Sequence, residues 1–506
     1  MARKKSRTTE RSGGVDISGE RVNVGGDIVG RDKITGKVVI HVGTLVVPAA
    51  PALIATLLAT VALIAVAVSL RGLAPTPGPA KMQGAFNVAI AEFGEVDAEG
   101  QVQPSEQGRL LSQWVYESLQ AQKDQFPDAN IKSIISIWHD SLPVTEKSTT
   151  LGVITTYTQA LRLAETINAD LVIYGSLNNR AEFNPEFYVS PRLRGEIDAS
   201  AGRYRLGDEP IRVDPSSRLS VSADLTTRTS GLFWVMMGLT YDLFGRSQQA
   251  LDVFRQAEAE LDNWQGKSAG KDIFYFFMGR AALFLSQQKT DAQDIASLEQ
   301  EAQEAFGQAL AINPDYARAH IGLGSLYFAR AQRVPPDQRL AMPELAQTIA
   351  EYETALSLAS QSPAEIEILA TLALGTAHRL EGEALLHAGQ YAEADRAYDM
   401  AIEQIQASLD HLTDTKQFRL IGQAYLALGT AYFQKAETGV RQDDTTGSRA
   451  LFEEARRAFA QCIAQEDLAR AAGVGEDKIL TQTIIAEKCV PNERNAEEAL
   501  SNAGGQ

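Results

Sequence analysis

The sequence predicts a multidomain chain: a single transmembrane helix, then an α/β domain, then an all-α superhelix of helix hairpins. Three observations carry this. Ala52–Leu70 runs for nineteen residues without a charge, a Gly or a Pro. Strand-like and helix-like stretches alternate over 84–214. From Thr226 onward the pattern is almost wholly helical, and one phrase of small and aromatic residues recurs. At 44% hydrophobic and 22% charged, the composition is that of a globular protein around one apolar outlier, and 506 residues allow several folding units.

The chain opens with a basic arm over 1–47. The formal charge is −17 overall, yet the residues up to Pro48 carry nine Lys or Arg against five acids, so the rest is strongly acidic. An acidic bulk argues against nucleic acid as a partner of the large domains, because phosphates are repelled. Within the arm, Val15, Ile17, Val22, Val24, Ile28, Ile34 and Val38 recur between glycines as short β-prone pieces. The central GGDIVGRDKITG resembles a leader found ahead of unrelated domains in bacterial signalling proteins, and also short cross-β signalling motifs. That likeness implies self-association through 15–40, with β-branched residues zipping between copies. Arg31, Asp32 and Lys33 oppose in-register stacking, and a small hairpin or linker is the alternative.

Residues 52–70 reach roughly 28 Å as a helix, close to the hydrocarbon thickness of a bilayer. Thr56, Thr60 and Ser69 are the only polar residues in the stretch. Basic flanks stay cytoplasmic, so the expected topology is a single-pass cell-membrane protein with its N-terminus inside and its C-terminal domains extracytoplasmic. A cleaved signal peptide would have a shorter apolar core and no polar arm of this length before it. A Pro/Gly linker over 71–83 follows.

The α/β domain at 84–214 begins with FNVAIAEF, where Phe86, Val88 and Ile90 alternate as in a strand. Ser105–Gln122 follows, a helix capped by Ser105, with Leu110, Leu111, Trp114, Val115 and Leu119 as its stripe. Ile131–Trp138 reads as a strand, Thr155–Asn168 as a helix and Ala169–Leu177 as a strand, with later strands at 186–191 and 207–214. Such alternation implies parallel pairing. The order, with the phrase AETINADLVIYGSL, resembles the N-terminal domain of TolB-like proteins, which implies an interaction or sensing module. Parallel strands would bring Glu92, His139, Asp140, Ser176 and Asn178 to one sheet edge, where open α/β sheets bind ligands. A His beside carboxylates suits proton transfer or metal binding; polar loop mouths are the plainer reading.

The repeats occupy 226–475. In the first copy Trp234, Gly238, Tyr241, Ala250, Phe254 and Ala257 match the tetratricopeptide repeat in order and spacing, and the region resembles that family. Further copies start at Gly279, Gly324, Gly375 and Gly429, with KTDAQDIASLEQ breaking the second, so about five hairpins are expected. Tyr398 belongs to the fourth, and Cys462 stands in the fifth where the family has Ala. A capping helix at 476–490 and a disordered tail at 491–506 complete the chain.

The resemblance implies a protein-binding scaffold, not an enzyme, with no cofactor. It also implies that the first helix of each hairpin lines the partner groove. Counting from the glycines gives Leu239, Phe277, Arg280, Arg318, Phe328, Thr376, Arg379, Gln423 and Phe433. Three arginines there would favour an acidic partner or a free C-terminal carboxylate; pairing with neighbouring Asp and Glu is the alternative. A second functional reading is an envelope sensor whose arm clusters or recruits effectors. The third is an enzyme at the strand ends. Gly266-Lys267-Ser268 has Leu261 where a phosphate-binding loop needs Gly. Cys462 and Cys489 are the only cysteines, and extracytoplasmic placement predicts a disulfide between them.

Overall fold

A computed structural model describes residues 81–139, 151–191, 200–207, 210–213, 223–261, 270–359, 364–412, 415–473 and 477–504. The basic arm, its β-prone motif, the 52–70 span, Asp140 and Gly266–Ser268 lie outside the described residues. Among the described residues no helix is long and apolar enough to cross a membrane.

The longer strands of the sheet are β1 (Phe86–Ile90), β4 (Ile135–His139), β5 (Leu171–Leu177), β6 (Glu182–Val189) and β7 (Gly202–Arg205). β1 pairs in parallel with β4 and β5, as the alternation implies, while β6 runs antiparallel to β5 and β7 to β6. Short β2 (Gly94–Val96) continues along β5, β3 (Val102–Pro104) folds back on β2, and β8 (Ile211–Arg212) pairs with β6.

β1 is buried on both faces. Phe86, Val88 and Ile90 pack with Leu111, Val115 and Leu119 of α1 (Glu106–Gln125), and Ala89 and Ala91 with Ala160, Ala164 and Ile167 of α3 (Tyr157–Ile167). Both helices start where their caps place them. Ser105 accepts from Gly108 N–H, and Thr156 with Gln159 forms a capping box.

Three expectations need correcting here. Leu110 does not join the α1 stripe but is exposed. The strand expected at Ile131–Trp138 is split: Asp128 caps α2 (Ala129–Ile134), accepting from the N–H groups of Asn130 and Ile131, and extended backbone begins only at Ile135. Of the strand expected at 207–214, only Ile211–Arg212 is paired among the described residues.

Beyond the sheet, the described residues form five antiparallel helix hairpins. They are α4 (Ala223–Leu243) with α5 (Ser247–Leu261), α6 (Lys271–Gln287) with α7 (Ala292–Ile312), α8 (Ala317–Arg333) with α10 (Pro343–Ala359), α11 (Ala364–His387) with α12 (Tyr391–Leu412), and α13 (Phe418–Arg441) with α14 (Thr445–Ala471). The one-turn α9 (Pro336–Arg339) sits in the third. KTDAQDIASLEQ is no break, because Asp291 caps α7 and the phrase becomes its first turns.

Close helix approach depends on a glycine under an aromatic ring. A Cβ on Gly238 would lie 2.2 Å from Phe254, and one on Gly382 would lie 2.6 Å from Tyr398. Gly382, not Gly375, therefore seats Tyr398 in the fourth hairpin. Gly375 lies seven residues earlier, two turns down the same face, beneath Ile405.

The C-terminal end also differs from expectation. Ile479–Cys489 is a π-helix, and α15 (Val490–Gly504) follows where a disordered tail was expected, with Ala496 fully buried beside Ala455 and Phe459. Cys462 and Cys489 are both fully buried and form a disulfide in this structure, with Cα atoms 6.4 Å apart.

Candidate functional site

The sheet edge was the first candidate. His139 ends β4 opposite Ile90, its ring stacked 5.6 Å from Tyr116 and its Nε2 3.0 Å from Ser112 Oγ. A Ser beside a His suggests a nucleophile and its base, but the donor direction is wrong. Ser112 Oγ donates to the Arg109 carbonyl at 2.9 Å, so the hydroxyl accepts from a protonated Nε2. Both residues are also buried. Asn178 is used in the β5–β6 turn: its Oδ1 accepts from the N–H groups of Arg180 and Glu182, and its Nδ2 donates to Glu182. Ser176 sits in the β5 ladder between Gly94 and Asn184. Glu92 bridges to Val153 through backbone. These residues line one edge, and no group of three or more His, Cys, Asp or Glu among the described residues could hold a metal.

The second candidate is the face of the first helices, and there the structure is informative. The end of α1 puts Phe126 6.0 Å from Phe233 and 6.4 Å from Trp234, both on α4. Tyr241, also on α4, donates to Asp128 Oδ2 at 2.9 Å. That hydrogen bond is the main reason the Asp128 carboxyl is held below its ordinary value, and burial followed by the same bond pushes the Tyr241 hydroxyl up to about 12.

β7 makes the next contacts. Tyr204 stacks on Phe187 at 4.8 Å and leans on Phe277 of α6 at 5.4 Å. Arg318 of α8 lies 4.2 Å over the Tyr204 ring and donates to the Ala201 carbonyl at 2.9 Å. Arg228 of α4 donates to the Leu206 carbonyl at 2.6 Å. Last, Tyr157 of α3 donates to Glu365 of α11. The first helices of hairpins one to four thus carry the α/β domain on the face expected to hold a partner.

This corrects the groove. Phe277 and Leu239 are buried. Arg280 pairs with Asp242, both below 10% side-chain exposure, and lies 4.7 Å over Phe284. Arg318 is engaged by β7, as above. Arg379 donates to Gln434 at 3.1 Å and lies 4.0 Å from Glu383, which Arg339 also binds. The arginines do not converge, because a guanidinium leaving water needs acceptors and each finds them within the chain.

The remaining groove positions are spread out. Thr376 donates to the Ala373 carbonyl, Phe328 packs beside Leu345 and Leu380, and half-buried Phe433 meets Phe452 at 5.2 Å. Gln423 is exposed. Sequence reasoning missed Tyr157, Tyr204, Arg228 and Glu365. The available signal was Arg280 standing in an apolar first helix, with Arg228 and Arg318 near the starts of theirs. On the second helices, α7 and α10 contain acids and no Lys or Arg, and α12 only Arg396. An acidic partner is repelled there.

No protein-family model matches the chain, and no curated protein matches it. A crystal structure of a thermophilic TPR protein from Thermus thermophilus is similar at 17% identity, over 48% of this chain and 98% of that one, with a TM-score of 0.27. An overlap that loose carries no argument, and the hairpin architecture rests on the packing described above.

Proposed function

We propose that the chain is a membrane-anchored, extracytoplasmic scaffold of tetratricopeptide type that holds another protein and is not an enzyme. One observation carries the reading: the array already grips a protein surface, its own α/β domain, with aromatic anchors and arginine-to-carbonyl hydrogen bonds on its first helices. The first-helix face continues along α13, with exposed Gln423 and half-buried Phe433, and there a partner segment docks. An acidic segment or a C-terminal carboxylate at this place would take Arg379 from Gln434 and would lie away from the acids of α7, α10 and α12. The 52–70 stretch supplies the anchor, its basic flank the inward N-terminus, and the TolB-like domain joins anchor to array.

A photocrosslinker placed at Gln423 in living cells tests this, with one at Glu403, exposed on α12, as the comparison. Partner adducts should form from Gln423 and not from Glu403, and protease should digest the array in intact, wall-stripped cells. Adducts from Glu403 alone, or an array protected until lysis, contradict the reading.

A further inference from the structure

We propose that the contact between α3 and α11 is a latch: hairpins one to three are fused to the sheet, whereas hairpins four and five close onto it and release. Three independent features support the division.

The first is the distribution of apolar packing. One continuous core runs from Phe86, Val88 and Ile90 of the sheet through Phe233 and Met237 of α4 and Phe277 of α6 to Leu326 of α8. The core shared by α11, α12 and α13 contains no residue of the α/β domain. α11 packs instead on hairpin three, Ile366, Ala370 and Leu374 with Tyr352 and Ala355, and Leu380 with Leu345, so release bends the array at that seam without parting it. Burial of apolar surface is the dominant holding force, so it binds one end of the array to the sheet and not the other.

The second is the chemistry of the far contact. Tyr157 Oη donates to Glu365 Oε1, and the Tyr157 ring meets Tyr188 of β6 edge-on at 5.5 Å. Of these two contacts only the hydrogen bond crosses to α11, because the ring contact between α3 and β6 lies within the α/β domain. At the near end, Phe126, Tyr204 and the acceptors of Arg228 and Arg318 all act together.

The third is incomplete satisfaction. Glu365 Oε2 and Tyr188 Oη are both buried and neither has a hydrogen-bond partner. Burying such groups unmatched works against closure, and opening returns both to water. Consistent with that desolvation, burial is the leading cause holding the Tyr157 and Tyr188 hydroxyls well above their ordinary value. A contact of one good bond beside two unmatched groups is near balance. The fused end carries such atoms too, Asn87 Oδ1 and Tyr316 Oη, but there a continuous apolar core outweighs them.

Amide hydrogen exchange of the full chain distinguishes a latch from a merely structural bond. Tyr157→Phe keeps the ring and removes the donor, so exchange in the first turns of α11 should accelerate about tenfold or more while α4 and α6 stay unchanged. Tyr157→Phe combined with Glu365→Leu removes every polar demand except that of Tyr188, so the seam should close and exchange fall to or below the wild-type rate. Tyr241→Phe, which removes the Asp128 bond at the fused end, should leave α11 unaffected. The latch is overturned by Tyr157→Phe exchanging like wild type, by α4 and α6 loosening in step with α11, or by the double variant staying as open as the single. These readouts need no partner and no membrane.

Discussion

Asp242→Leu tests whether Arg280 serves structure or recognition. The two side chains face each other across α4 and α6, at 6% and 8% side-chain exposure. Removing the carboxylate leaves the guanidinium in a site with little water, which for buried pairs costs about 3–5 kcal/mol. Replacing both, Arg280→Met with Asp242→Leu, restores an apolar contact, and such exchanges are about neutral or better. A chain of this size does not unfold in two states, so the readout is local: amide exchange in α4 and α6, where 3 kcal/mol corresponds to roughly a hundredfold acceleration. The single variant should show that acceleration and the double variant should fall back to within a few-fold of wild type. In cells, the double variant should still yield partner adducts from Gln423. An Asp242→Leu effect below about fivefold, or loss of adducts in a well-folded double variant, would return Arg280 to the partner site and refute the reasoning.

Two further predictions concern the array's other polar and covalent ties. His320 Nδ1 lies 2.7 Å from Glu351 Oε2 and its Nε2 3.2 Å from the Pro314 carbonyl, so both nitrogens face acceptors and the bound ring carries two protons. Burial lowers its pKa, but the Glu351 hydrogen bond and the Pro314 carbonyl outweigh that and leave it raised. The staple is therefore complete below about pH 6.5 and is lost as pH rises through the raised folded value. Exchange in α8 and α10, corrected for intrinsic chemistry, should quicken between about pH 6 and 8.5, and His320→Gln should abolish that dependence; a pH-independent wild type is the contrary result. The Cys462–Cys489 bond closes a separation of 27 residues, so serine at either position should weaken the C-terminal end by about 3–4 kcal/mol on loop entropy. Recovering both cysteines alkylated from a non-reduced digest of native protein would remove that bond.

Local rules were legible where local chemistry decides. The alternation in Phe86–Ile90 located a central strand, and Ser105 located a helix start, because caps and periodicity act within a few residues. The same logic, applied more strictly, catches Asp128 ahead of Ile131, where β-branched isoleucines suggested a strand too early. It also catches the fourth hairpin. Sixteen residues separate Gly238 from Phe254, and the same sixteen separate Gly382 from Tyr398, the spacing of a hairpin without lengthened helices. The C-terminal helix was less visible: the packing of Ala496 against Phe459 is a tertiary event, and a polar, Ala-rich segment with a Gly-Gly end reads as frayed until a surface is there to hold it.

The groove could not be read from the sequence for a different reason. Periodicity tells which face of a helix a residue occupies; it does not tell what covers that face. Arg318 was placed on the first-helix face, and it is there, but its acceptor is a carbonyl 117 residues earlier in the chain. Nothing in the local pattern around Ala201 marks that carbonyl. What the sequence does contain is a demand: a guanidinium inside α6, among Phe274, Phe276, Phe277 and Leu283, must find a carboxylate or carbonyl or leave the core. A partner protein and a neighbouring domain satisfy that demand equally well. An arginine embedded in an apolar repeat helix therefore marks a buried contact, and only the three-dimensional arrangement decides which: Arg280 meets the neighbouring helix, whereas Arg228 and Arg318 meet the α/β domain.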